Sequence, residues 1–189
     1  MKTSIISLIL LTIAGIGLVS CSDDTWNPGD TTLAPGEGSV SLASMKVNVD
    51  TEESVVSRAG VSVDAFMVDI VDRTSGSVKR TYTYGGMPEV VTLPAGDYTV
   101  NVRSHNVKDA EWDAPYYVGN ADFSVQTGKI TEIGTVICKF SNIKVTIKFT
   151  KELAGYLDES ARVKVIANDR GSLEYTVNET RAGYFKAIF

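Results

Sequence analysis

"LPAGDYTVNVRS", Leu93 to Ser104, is the stretch whose reading decides the fold. Pro94 presets φ and Gly96 can take a positive φ, so a tight turn is cheap there. Tyr98, Val100 and Val102 then alternate with Thr99, Asn101 and Arg103. A period of two marks a half-buried β-strand. With the short strand "PEVVTL" ahead of it, the stretch predicts a β-hairpin joining two antiparallel strands.

The same period runs outward in both directions. "VSLASMKVNV" alternates at Val40 and Leu42, then shifts phase to Met45, Val47 and Val49, as a bulge would. "VSVDAFMVDIVD" puts Phe66, Val68 and Ile70 on one face, and "RTSG" follows as a turn. "SVKRTYTY" puts Val78, Tyr82 and Tyr84 together. After a longer loop, "HNVKDAEWDAPYYVGN", come "ADFSVQTG" and "KITEIGTVICKF". Val136, Cys138 and Phe140 share one parity, and Ile143, Val145, Ile147 and Phe149 the other, so two strands meet at a bend at Ser141-Asn142. "KELAGYLDES" is the only convincing helical piece. "RVKVIAND", "SLEYTV" and "AGYFKAIF" complete the chain.

Regular strand spacing with Gly/Pro turns predicts an all-β protein, an antiparallel β-sandwich of Ig-like or transthyretin-like type. The expected division is 39–142 for the sandwich and 143–189 for the start of a second β-domain. Four short elements are too few to close a second sandwich, so that part reads as incomplete and truncated. The open alternatives are that it completes the first sandwich or pairs with another molecule.

The N-terminus carries an address. One Lys precedes an apolar run, Ile5 to Val19, that is shorter than the roughly 20 residues a membrane-spanning helix needs. This describes a secretory signal peptide over residues 1–20. It ends Leu18-Val19-Ser20-Cys21, which resembles the bacterial lipobox. Cys21 would then carry a diacylglycerol thioether and begin the mature chain. Ser22, Asp23 and Asp24 resemble the surface-export signal of Bacteroidetes-type lipoproteins. The expected location is the outer membrane, lipid-anchored and facing the medium, with the membrane as partner through Cys21. Residues 21–38, rich in Asp, Thr, Pro and Gly, read as a tether. Within it "DTT", Asp30 to Thr32, resembles an O-glycosylation acceptor.

Losing residues 1–20 removes one Lys and leaves 17 basic and 23 acidic residues, a formal charge of −6. That balance gives no electrostatic basis for binding nucleic acid. The second cysteine, Cys138, sits among apolar neighbours and reads as a small buried hydrophobe. With a single His, His105, no four-ligand zinc site is available. No phosphate loop, "GxSxG" or "HExxH" appears, so neither a cofactor nor a catalytic residue is assigned and an enzyme is not expected. Asp109, Glu111 and Asp113 alternate as calcium ligands can, but the Gly and distal Glu of an EF-hand loop are missing. Trp112, Asp113, Tyr116 and Tyr117 form a candidate ligand-contact loop, suited to a glycan or a protein partner. The plainer reading is that the aromatics pin the loop to the sandwich.

"LVSCSDD", "GSVSLASMKV", "SRAGVSVDAFMVDI", "LPAGDYTV", "DAPYYVGNADFSV", "KITEIGTVICKFSNIKVTIKFT" and "NETRAGYF" occur in that order. The set resembles the Bacteroidetes surface lipoproteins of domain-of-unknown-function family 4493, over roughly residues 38–189. The resemblance implies a location and a fold but no activity. The layout is also similar, more distantly, to the fimbrillins, pilus precursors with two transthyretin-like sandwiches. That similarity implies cleavage after an arginine, here between Arg58 and Ala59, with release of "VSLASMKVNV" and assembly by strand exchange. Three functional readings follow: a surface structural or adhesion-like binding protein, a fimbrillin-like subunit or accessory, and a carbohydrate-binding surface lipoprotein.

Overall fold

The computed structural model describes residues 33–50, 61–167 and 170–187. In chain order the strands are β1 (Glu37–Ser41), β2 (Lys46–Asp50), β3 (Met67–Asp72), β4 (Val78–Thr83), β5 (Val90–Pro94), β6 (Gly96–Arg103) and β7 (Ala110–Trp112). There follow β8 (Tyr117–Val125), β9 (Ile130–Glu132), β10 (Thr135–Phe140), β11 (Asn142–Val145), β12 (Arg162–Ala167), β13 (Gly171–Thr176) and β14 (Gly183–Lys186). A single helical turn, α1 (Lys151–Ala154), lies between β11 and β12, with Thr150 as its N-cap.

The protein is all-β, as expected. Two sheets enclose the main core. One has the order β5-β1-β9 and the other β2-β10-β8-β6-β3-β4. Two pairings within them are parallel, β1 with β9 and β2 with β10, so neither sheet is purely antiparallel.

The turn after Leu93 makes something other than the predicted hairpin. β5 pairs with β1 in the three-stranded sheet, and β6 pairs with β3 and β8 in the six-stranded one. Residues 94–96 therefore carry the chain across the sandwich. The Ala95 amide donates to the Gly36 carbonyl at 2.8 Å, and Tyr98 Oη donates back to the Pro94 carbonyl at 2.9 Å. Gly96 is not among the positive-φ glycines. A turn between sheets and a turn between paired strands use the same residues, and only pairing at a distance separates them.

The phase shift inside "VSLASMKVNV" has a similar cause. Val40 and Leu42 enter the core from the first sheet, a turn closes with the Met45 amide on the Leu42 carbonyl, and Val47 enters from the second sheet. β1–β2 thus changes sheets beside β9–β10. Ser39 donates to the Lys129 carbonyl and Lys46 to the Gly134 carbonyl on either side of the crossing.

The core joins these residues to Val68, Ile70, Val100, Val102, Val136 and Cys138, all 0% exposed. Tyr98 stacks on Phe123 at 5.6 Å beside them. Val78 departs from its expected face. The β3–β4 register shifts between Ile70 and Val71, and Val78 ends 56% exposed. The outer face of the six-stranded sheet carries a polar lattice. Asp69 accepts from Thr81 Oγ1 at 2.6 Å and pairs with Arg103, while Asp122 accepts from Thr99 and pairs with Arg73 at 3.3 Å.

The chain beyond Phe140 forms two small sheets, β11-β14-β7 and β12-β13. The bend at Ser141-Asn142 lies where expected, between β10 and β11. β7, drawn from the middle of the chain, is the edge strand of the first small sheet, with Gly183 opposite Trp112 and Phe185 opposite Ala110. The described residues from Leu33 onward group as one compact unit.

Candidate functional site

Of the residues singled out from sequence, Cys21, Ser22, Asp23, Asp24, Arg58 and Ala59 lie outside the described residues, as does the Asp30–Thr32 segment. The remaining four sit where β7 leads into β8.

Trp112 ends β7 and is held from two sides. The Tyr175 ring meets it edge-on at 4.7 Å, and the Arg181 guanidinium lies 4.4 Å from its centroid. Arg181 is itself fixed by Glu179, with Nε 2.9 Å from Oε1 and Nη2 2.8 Å from Oε2. That pair holds the Glu179 carboxyl down to about 2, well below its ordinary value. Asp113 has φ of 49°, a left-handed conformation rare outside glycine. It is locked there because its amide donates to the Ala182 carbonyl at 2.9 Å and its Oδ1 accepts from the Ala182 amide at 3.1 Å.

Tyr116 and Tyr117 go separate ways. Tyr117 is buried in the main core and meets Phe140 edge-on at 6.1 Å. Tyr116 stays half-buried with His105 against it at 5.4 Å. The Asn142 side chain, 8% exposed, ties this corner down. Its Oδ1 accepts from the Tyr116 amide at 3.2 Å and its Nδ2 donates to the Ala114 carbonyl at 3.0 Å. The four predicted residues therefore do not share one aromatic platform. The Trp112 ring is already engaged by Tyr175 and Arg181.

A shallow cleft of about 480 Å³ opens beside the loop, lined by His105, Asn106, Lys108, Glu111, Asp113 and neighbours. Lys108 and Glu111, both in its lining, pair with each other at 2.6 Å, so charges of both signs are partly neutralised. Among the described residues no group of three His, Cys, Asp or Glu side chains is placed to hold a metal ion. Burial pushes the Cys138 thiol up to about 11. The Ser104 hydroxyl lies 2.9 Å from His105 Nδ1, but it also accepts from the Tyr117 amide, which ties it to the strand.

Sequence reasoning missed Tyr175, Glu179, Arg181 and Asn142 as partners of this loop. Nothing local to "NETRAGYF" signals Trp112 some 70 residues earlier (181 − 112 = 69).

No curated protein matches the chain. Among solved structures, the major pilin T-13 of Streptococcus pyogenes serotype GAS131465 is similar at 8% identity, covering 81% of this chain and 79% of its own, with a TM-score of 0.22. An N168A mutant of the major pilin from Streptococcus pyogenes is similar at 10% identity, covering 81% and 78%, with a TM-score of 0.20. Likeness at that level carries no argument about function. The family described as "Domain of unknown function (DUF4493)" matches residues 36–188, and the chain belongs to it.

Proposed function

We propose that this chain is a lipid-anchored β-sandwich displayed on the bacterial cell surface, with a structural or binding role and no catalysis of its own. The observation that carries the reading is the order of parts. A short apolar run ends in Leu18-Val19-Ser20-Cys21, and the first strand of the fold begins at Glu37, sixteen residues later (37 − 21). Two acyl chains on Cys21 would hold the protein stably where one would not, since each buried methylene contributes about 0.8 kcal/mol. Ser22, Asp23 and Asp24 would direct it outward. Cys21→Ala should move the protein from the membrane fraction to the soluble one. Alanine at 22, 23 and 24 together should keep it in the membrane but protect it from protease added to intact cells. Unchanged fractionation of the first variant would sink the anchor, and unchanged shaving of the second would sink the export signal.

A fimbrillin-like role is the second reading, favoured by the placement of β1–β2. Val40 is the cross-strand neighbour of Val91, and Val47 and Val49 those of Val136 and Cys138. Cleavage between Arg58 and Ala59 would leave this segment held by pairing and core packing alone, and its loss would open both sheets to a partner's strand. An arginine-specific protease should then give a trimmed species that builds a ladder of oligomers. A trimmed protein that stays monomeric would argue against this role.

A further inference from the structure

We infer that β12 is an acceptor edge for an extended acidic strand of a partner protein. It names a partner chemistry for the binding role proposed above and rests on that role, not on the anchor. β12 pairs with β13 alone, in a continuous register from Arg162↔Thr176 to Ala167↔Gly171. The Arg170 amide donates to the Ala167 carbonyl, so Ala167, Val165 and Val163 turn their backbone groups toward β13. Lys164 and Ile166 therefore turn theirs outward. Among the described residues nothing is hydrogen-bonded to them on that side.

Three other edges, β4, β5 and β9, are closed by familiar devices. β4 has its register shift, Lys79, and an Arg80 guanidinium lying on the Lys79 carbonyl at 2.8 Å. β5 ends in Pro94, which has no N–H and whose carbonyl Tyr98 already occupies. β9 is three residues long. β12 has six residues, neither proline nor bulge, and Ile166 56% exposed.

The occupant follows from charge. Residues 143–189 hold eight Lys/Arg against six Asp/Glu, a net +2, whereas residues 21–142 hold nine against seventeen, a net −8. On the open face Arg162 and Lys164 are exposed, with Glu174 opposite Lys164, and Arg170 joins Lys164 and Ile166 around a cleft of about 280 Å³. A second β12 added antiparallel over residues 162–166 would set Lys164 against Lys164, which is destabilising. A strand that alternates acidic with apolar residues would put its acids beside Arg162 and Lys164 and its apolar side chains beside half-buried Val163 and Val165.

The test is an amide-resolved NMR titration of the mature chain with a short synthetic peptide alternating valine and glutamate. Shifts should concentrate on residues 162–166 and weaken with salt. The matching valine–lysine peptide should give none. Lys164→Pro removes an outward N–H while sparing the ladder to β13, and it should weaken binding about tenfold. Lys164→Gln, which removes the charge without setting two acids opposite each other in the hairpin, should do likewise. Shifts spread over the whole sandwich, or both variants binding as wild type, would overturn the inference. The Cys21→Ala fractionation reads the anchor independently of either result.

Discussion

Cys138 lies at 0% exposure between core neighbours, and burial alone raises its thiol to about 11. At neutral pH it is therefore protonated and shielded, and only the thiolate reacts. A thiol reagent added to folded protein carrying Cys21→Ala should label nothing near neutrality and one site after unfolding. Rapid labelling of the folded chain would contradict the placement of Cys138. Its apolar neighbours "TVICKF" made this residue legible in sequence. Asn142 was not legible, because it acts on Tyr116 and Ala114, 26 and 28 residues away. Asn142→Ala leaves a buried amide and carbonyl without partners, which costs about 1–3 kcal/mol. The expected result is a lower melting temperature with the β-sheet spectrum retained.

At the scale of elements, the small sheets are fastened through one close approach. A Cβ on Gly183 would run into Tyr175 Oη, which donates to the Val145 carbonyl at 3.0 Å. Gly183→Ala should therefore destabilise by about 1–3 kcal/mol, read by denaturant unfolding; an unchanged midpoint would contradict the contact. The Glu179–Arg181–Trp112 arrangement is the second fastening, and it is acid-sensitive. The folded carboxyl titrates near 2, below its ordinary 4.5, so the ion pair contributes fully above 4.5 and is lost as pH falls toward 2. In a Trp26→Phe background, Trp112 fluorescence should change across that window, and Glu179→Gln should abolish the change. A Glu179→Gln protein that titrates like its parent would show that another group is responsible. β7 itself, three residues in "KDAEWDAPYY", read as loop because so short a run cannot display a period. The hairpin expected at Pro94–Gly96 failed for a different reason. Alternation reports which face a residue takes and says nothing of which strand lies beside it.

For the whole molecule, fold class followed from alternation, strand spacing and Gly/Pro turns, and inward positions such as Val68, Ile70, Val100 and Val102 are the buried ones. Strand order did not follow, because the parallel β1–β9 and β2–β10 pairings join residues about 90 apart. Those pairings make the first strands part of the core: Leu42→Ala should cost about 2–5 kcal/mol, measured by thermal unfolding. A loss within a few tenths would mean β1–β2 does not seal the sandwich. The surface role itself rests on Cys21, which lies outside the described residues. Mass spectrometry of the protein extracted from its native membrane tests it most directly. The expected N-terminal peptide begins at Cys21 and carries a diacylglyceryl thioether, and a chain that still begins at Met1, or an unmodified Cys21 thiol, would contradict the proposal.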